Sequence, residues 1–547
     1  MDWQGRARYT VFDSAFGTGE RFHALVRAWH LDPQRPARLH YIALHSAPLP
    51  GLRRMPQLDE AVTLDLVSAS LDTALGQLDA RLDAIELHGI AGEGSGFVRT
   101  LARLAAPGAV LHAHDLTESQ VHALGGAGFA IGEHAGGALK AVFTSRKPPS
   151  PWARQPVLAR RAIVLGAGVA GAAACERLCA RGWEVTLIER HGAPAQEASG
   201  NQAGIYMPLL SKDDNIMTRL SRASFLYALA YWEKLGGIGG PTIVGAKCGV
   251  FQLARDAAHA QVQQAIARQH HYPRDYAQWF EPGAASALSS LPTPHGGWLF
   301  PQAGWARPSS VCAAMLDACG AALVRRFGAG QVTLDRASNG WIARNEAGVV
   351  ACAPVVIVAN GAGAMQLAQS AQLPLLKVRG QVTYLAQGAL PALPFVVCRE
   401  AYVTPAVDGW HSVGASYDDH DDPALCGDSQ RDNLAKLGSL MGNERIGLDA
   451  PLAGRVGFRC VAPDRLPLVG ALPDAPAGAG AERLRQLARL PGLYGLLGYA
   501  SRGLTWAPLA AELLASQLHG DPLPLEADLA TALDPARFIL RARRRQL

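Results

Sequence analysis

The sequence predicts an α/β protein of two domains, each built on a largely parallel sheet. Three observations carry that expectation. Residues 160–190 hold a complete strand–glycine turn–helix–strand unit, the first 145 residues alternate short apolar strands with amphipathic stretches, and a proline-rich break separates the two. At 547 residues the chain is too long for one ordinary domain. Apolar residues are 49% and charged residues 18%, which supplies large cores and excludes disorder as the main theme. Lys and Arg number 51 against 46 Asp and Glu, and the resulting +5 is compatible with a polyanionic partner without requiring one. No apolar run reaches the ~18 residues of a membrane helix. The opening MDWQGRARYTVFDS lacks the basic, apolar and small-residue succession of a secretory signal. The 9 cysteines contain no CxxC pair, which argues for reduced thiols in a soluble cytoplasmic protein and against a metal site or a disulfide framework.

In the front segment, Tyr9–Phe12, His40–Leu44, Asp83–Leu87 and Ala109–His112 read as strands of parallel βαβ units. The segment closes differently: Gly128–Gly132, the Gly136-Gly137 pair and Ala138–Ser145 read as an antiparallel hairpin. A parallel sheet closed by such a hairpin resembles the class I S-adenosylmethionine-dependent methyltransferases, a Rossmann-like fold. Arg146–Trp152 then places three prolines in four positions, which neither a helix interior nor a central strand accepts. The expected division is therefore a front domain over 1–145, a linker over 146–159 and a second domain over 160–547.

The strongest chemical signal is RRAIVLGAGVAGAAACERLCARGWEVTLIER. The strand Ala162–Leu165 runs into Gly166, Gly168 and Gly171, an Ala-rich helix follows, and the strand Glu184–Ile188 ends in Glu189. The first glycine permits the turn, the second admits a pyrophosphate, and the third lets helix and strand approach. The helix N-terminus offers N–H groups to an anion, and Glu189 can accept hydrogen bonds from ribose hydroxyls. The motif alone does not choose between NAD and FAD. Its continuation does: SGNQAG, containing Asn201, follows Glu189 too early for the ordinary third strand of a nicotinamide enzyme. A buried strand, APVVIVAN, comes only at 353–360. A last strand, Gly492–Leu497, leads through Gly498-Tyr499-Ala500-Ser501-Arg502-Gly503 into a helix over 504–518, a second turn that could bring N–H groups to a ligand. A dinucleotide fold with another domain inserted between its first and last strands resembles the FAD-dependent amine oxidases.

The strings SGNQAGIYMPLLSKDDN, GWLFPQAGWARPSSVC, RGQ, GRVGFRCVAPDRLPLVG and GYASRGLTWAPLAAELLA, behind a methyltransferase-like front, are similar to the tRNA 5-methylaminomethyl-2-thiouridine biosynthesis bifunctional (MnmC) family. The likeness spans nearly the whole chain and is most specific after residue 160. It implies FAD as cofactor, tRNA as partner and an oxidation that removes the glycine-derived carboxymethyl group from carboxymethylaminomethyl-uridine at the wobble position. S-adenosylmethionine-dependent methylation of the freed amine would follow. A carboxylate-bearing substrate calls for bidentate Arg rather than Lys. By resemblance, Arg459 of Gly457-Phe458-Arg459 takes the substrate carboxylate, and Arg379 of Arg379-Gly380-Gln381 is the second candidate. The alternative for either is a salt bridge to an acid such as Asp464. Gly166, Gly168, Gly171, Glu189, Asn201, Arg502 and Gly503 are the expected cofactor contacts. Trp298 and Trp305 read as core rather than base-stacking platforms.

The front domain departs from the pattern its resemblance implies. Asp13 and the Gly17/Gly19 turn remain, but few residues precede the first strand. The family's ribose-binding Glu is His45 here, and the acid of its Pro-rich catalytic loop is His88. Neutral imidazole offers one acceptor nitrogen against two carboxylate oxygens. Methylation is therefore expected to be absent or very weak. The rival readings are an FAD oxidase of free glycine- or sarcosine-like amines and a tRNA-binding protein without redox activity. The five C-terminal arginines from Arg537 read either as a solvated helix end or as a phosphate-contacting tail.

Overall fold

The computed structural model describes residues 3–90, 92–135, 137–144, 155–474 and 482–544; the expected linker segment Arg146–Trp152 lies outside the described residues. The chain forms two compact units: residues 1–158 with 512–531, and residues 159–511 with 532–547. Among the described residues no helix is long and apolar enough to cross a membrane.

The first unit is an eight-stranded sheet in the order Gly51–Met55, Val62–Ser68, Arg38–Leu44, Arg8–Asp13, Leu82–Leu87, Ala105–His114, Ala138–Phe143, Phe129–Ala135. The middle five strands run parallel, and an antiparallel pair closes the far edge. Side chains alternate across the sheet as the pleat requires. Phe12, Ile42 and Ile85 enter one core, while Tyr9, Val11, Leu39 and Tyr41 enter the other. Helices cover both faces; one over Glu118–Gly126 starts with a capping box between Thr117 and Gln120.

Two strands were hidden from the sequence reading. Gly51–Met55 and Val62–Ser68 carry Arg54 and Asp65, which break the apolar pattern but form a buried bidentate pair at 2.8 and 2.7 Å. Arg54 also donates to Glu512 at 2.8 Å, to Ser516 Oγ at 3.0 Å and to the Pro522 carbonyl at 2.9 Å. Asp521 pairs with Arg38 at 3.0 Å, and the Leu52 N–H donates to Glu526 at 3.2 Å. These bonds put residues 512–531 in the first unit, where the sequence reading assigned 160–547 to a single domain. The reason is long-range pairing: Glu512, Ser516 and Asp521 find their partners in Arg38 and Arg54, far away in sequence.

The second unit is organised on a six-stranded sheet, Leu323–Arg326, Glu184–Ile188, Arg161–Leu165, Val355–Val358, Arg489–Leu497, Leu468–Pro473, parallel except at its last pair. An eight-stranded sheet is inserted, and its strands Leu376–Ala386 and Gly454–Val461 pair antiparallel with Arg379 opposite Phe458 and Gly380 opposite Gly457. Trp298 and Trp305 are buried in this unit. At the chain's end, Asp464 accepts from Arg537 at 2.9 Å and from Arg541 at 2.6 Å, so two of the five C-terminal arginines are engaged within the fold.

Candidate active site

The turn after Arg161–Leu165 is shaped by close backbone approaches. Gly166 has φ 96°, and a Cβ there would fall 2.6 Å from the Asn360 Cα; a Cβ on Gly171 would overlap the Gly166 carbonyl. Only glycine fits either place. Ser199 Oγ accepts from the Val169 N–H at 3.1 Å, tying SGNQ to the first helical turn. Glu189 is buried; its carboxylate accepts from the Ala167 N–H at 2.8 Å and the His191 N–H at 3.0 Å, which fixes it beside the turn with acceptor capacity to spare.

The second turn meets the first. Strand Arg489–Leu497 ends at Gly498, Ala500 takes φ 49°, and the helix Gly503–His519 begins with Gly503 against the Val169 side chain. Both turns line one cavity of about 740 Å³, together with Glu189, Asn201, Asn360, Tyr402, Tyr417, Arg459 and Arg502. Asn360 Oδ1 and the Tyr499 hydroxyl, also in this lining, are buried without a hydrogen-bond partner. Groups left this way cost about 1–3 kcal/mol each unless something polar meets them.

Arg459 is half-buried, and its side chain lies across Gly380, where any Cβ would overlap the guanidinium. Its Nη1 donates to the Ser416 carbonyl at 3.1 Å and the Arg379 carbonyl at 3.3 Å, and Tyr417 covers one face at 4.2 Å. No carboxylate among the described residues pairs with it; Asp464 is taken by Arg537 and Arg541. The Nε–Nη2 edge is thus left for a planar anion. Arg502, also in the cavity wall, has its basicity lowered by burial and likewise has no ionic partner among the described residues. Burial pushes the Tyr402 phenol and the Cys398 thiol up to about 12, so both stay protonated at neutral pH.

Arg379 does not join this group. Its side chain is 0% exposed and points into the 418–426 loop, donating to Asp418 at 2.5 Å, to the carbonyls of Asp422 and Ala424 at 2.7 Å, and to Ser429 and Gln381 at 3.2 Å. Every donor is spent, so a substrate carboxylate finds none free. Of the two readings the sequence leaves open for Arg379, substrate clamp or salt bridge, the structure gives the salt bridge, to Asp418, and the side chain braces a loop.

Arg455 was missed. It donates to the carbonyls of Gln196 at 2.5 Å and Glu197 at 2.7 Å and to Asn201 Oδ1 at 3.3 Å, so it clamps the loop carrying Asn201. Its place was available in the sequence, since Arg455, Gly457 and Arg459 share one face of a strand at period two.

Residues 161–517 match the family model described as FAD dependent oxidoreductase. The tRNA 5-methylaminomethyl-2-thiouridine biosynthesis bifunctional protein MnmC of Azoarcus sp. (strain BH72) is 40% identical, over 99% of this chain and 92% of that protein. Its counterpart in Paraburkholderia xenovorans (strain LB400) is 39% identical over the same shares. The chain belongs to the MnmC family. Its oxidoreductase unit also shares a fold with solved structures. Glycine oxidase from Geobacillus kaustophilus is similar at 21% identity and TM-score 0.57, over 69% of this chain and 99% of that one. Iminodiacetate oxidase from Chelativorans sp. BNC1 is similar at 23% and 0.54, over 66% and 96%.

FAD is the cofactor of this MnmC-family chain, and the cavity fits it. Two helix N-termini meet at glycine turns, a buried carboxylate sits beside the first, and orphaned Asn360 Oδ1 and Tyr499 hydroxyl await polar partners. The front unit's glycine turn is differently disposed. Asp13 is fully buried and accepts from Tyr41 at 2.5 Å, from Arg21 at 2.9 Å and from the Ala15 N–H at 2.9 Å. The Phe16 ring lies across Gly19 and meets His45 edge-on at 5.8 Å. His88 stacks on His114 at 5.3 Å. No group of three or more His, Cys, Asp or Glu that could hold a metal ion occurs among the described residues.

Proposed function

We propose that this protein removes the glycine-derived carboxymethyl group from carboxymethylaminomethyl-uridine at the tRNA wobble position by FAD-dependent oxidation, in the cytoplasm. The single observation that carries the reading is Arg459, a guanidinium in the cavity wall whose free edge meets no carboxylate among the described residues. The substrate's arm ends in a carboxylate, and a planar fork fits it. FAD held in this cavity would supply the hydride acceptor for oxidation of the carbon beside the substrate nitrogen. Hydrolysis of the oxidised carbon–nitrogen bond then frees glyoxylate and leaves aminomethyl-uridine.

Gly166, Gly168 and Gly171 would cradle the cofactor's pyrophosphate, Glu189 its ribose, and the Arg502-Gly503 turn its ring system, with Asn201 held in place by Arg455. Arg459 fixes the carboxylate and thereby the carbon to be oxidised. Tyr402 and Cys398 keep their protons and supply a polar wall without a competing charge. The front unit is read as transferring methyl groups weakly or not at all. The carboxylate of Asp13 is saturated by Arg21, Tyr41 and Ala15, and Phe16 occupies the face of the glycine turn.

Incubating the purified holoenzyme with tRNA bearing carboxymethylaminomethyl-uridine, with S-adenosylmethionine present, and analysing nucleosides by mass spectrometry tests this. Aminomethyl-uridine and glyoxylate should accumulate. Turnover of free glycine or sarcosine with the tRNA untouched would favour the small-amine oxidase instead.

A further inference from the structure

Tyr417 is a large aromatic residue that is 66% exposed, yet it lines the cavity. Its backbone is held on both sides by buried groups. The Ser416 N–H donates to the Gln381 carbonyl at 3.1 Å, and Ser416 Oγ donates to Asp418 at 2.7 Å. Asp418 exchanges two 3.1 Å backbone hydrogen bonds with fully buried Arg379 and accepts from its guanidinium. One ring face rests on Arg459 at 4.2 Å. An exposed aromatic gains little from burial, so such anchoring holds a ring in place for something outside the protein. A second pair repeats the arrangement in the same cavity lining: Lys377 lies over Phe458 at 4.1 Å. Aromatic faces interleaved with cations are the pattern of surfaces that stack unpaired nucleobases.

We infer that Tyr417 is the platform on which the target uracil stacks while the carboxylate of its side arm reaches Arg459; this rests on the function proposed above. The lengths agree. Arg459 lies over one face of the Tyr417 ring, 4.2 Å from its centre, so the base takes the other face. The base plane is then a stacking distance of about 3.4 Å beyond the ring, and the arm passes the ring edge to reach the guanidinium. Four single bonds carry the carboxylate carbon about 5 Å from ring C5, and a hydrogen-bonded carboxylate and guanidinium stand about 4 Å apart, carbon to carbon, so an extended arm spans the gap. The ring also gives the site a means of preferring the nucleotide over a bare amino acid, because a free glycine has nothing to lay on it.

The test compares Tyr417→Ala, Tyr417→Phe and Tyr417→Trp holoenzymes on an RNA stem-loop carrying carboxymethylaminomethyl-uridine. Glycolate binding, followed by the visible flavin spectrum, reports on the Arg459 clamp alone. Tyr417→Ala should lose about ten- to a hundred-fold in kcat/KM on the RNA, as removal of one base–aromatic stack does. Phe and Trp should stay within about threefold, since both keep a π-face. The glycolate dissociation constant should not move. Equal weakening of glycolate and RNA in the Ala variant would mean the ring merely props Arg459, and unchanged RNA turnover would mean no base stacks there; either overturns the inference. A wild-type enzyme that oxidises free glycine but not the RNA defeats the underlying function as well, a result distinct from both.

Discussion

Replacing Arg459 with Ala should slow oxidation of the modified tRNA by about ten- to a hundred-fold while leaving FAD bound. The figure follows from the bonds that are lost. The guanidinium already gives Nη1 to the carbonyls of Ser416 and Arg379, so a substrate carboxylate meets one free edge and forms one charge-assisted bidentate pair. Such a pair contributes about 1.5–3 kcal/mol, and each 1.4 kcal/mol is about tenfold in rate when it is felt in positioning the reacting carbon. The structural side effect should be small, because the Arg379 carbonyl keeps its bond from the Asp418 N–H and only the Ser416 carbonyl loses a donor. Arg459→Lys retains the charge but not the fork, and it should fall between wild type and Ala. Anaerobic stopped-flow reduction of the flavin over a range of tRNA concentrations separates the roles, since a docking defect is rescued at saturation and a positioning defect is not. If Arg459→Ala reduces at the wild-type rate at saturation, the carboxylate lies elsewhere, and Arg502, a further guanidinium in the cavity wall with no ionic partner among the described residues, is the next candidate.

Glu189→Ala should weaken FAD retention by about ten- to a hundred-fold, measured by titrating apoprotein, because the Ala167 N–H loses its acceptor along with the ribose. Arg379→Met should cost about 3–5 kcal/mol of stability in urea melts by leaving Asp418 without its buried cation; an unchanged midpoint would contradict the bracing role. Residues 1–158 produced alone should bind the dye ANS and melt below the same segment rejoined to 512–531 through a flexible linker, since Arg54 then lacks Glu512 and Ser516. Burial works to raise the Asp464 carboxyl, but Arg537 and Arg541 hold it below the usual carboxylate range. Its contribution is therefore present above the unfolded pKa and lost as pH falls through the folded one. The stability gap between wild type and Asp464→Asn should accordingly be full at pH 7 and close below about pH 4.

The parts legible in the sequence were those where one element carries a whole pattern. Strand, glycine turn, helix and acid are contiguous from Arg161 to Glu189, and the observed strand bounds differ from the expected ones by a residue at most. Arg459 was singled out by resemblance, on Gly457-Phe458-Arg459, while Arg455, two residues before that string on the same strand, was passed over. What stayed hidden depends on partners distant in sequence. Arg379 looked like a substrate clamp until Asp418, Asp422 and Ala424 were seen to consume its donors. Strand Val62–Ser68 was obscured by Asp65, whose burial makes sense only with Arg54 opposite it. Tyr417 carries no local signal, since its position follows from the pairing of Asp418 with Arg379.

The membership of residues 512–531 in the first unit reverses the usual order of assembly on the ribosome. Domains commonly fold as they emerge, the N-terminal one first. Here the strand Gly51–Met55 and buried Arg54 wait for partners encoded after the whole of 159–511. At translation speeds of about 5–20 residues per second that is a delay of roughly 20–70 s, during which this edge stays without Glu512 and Ser516 to cover Arg54. A gene cut after codon 158 would thus yield a front fragment lacking one wall, whereas a cut that moved codons 512–531 with it would not.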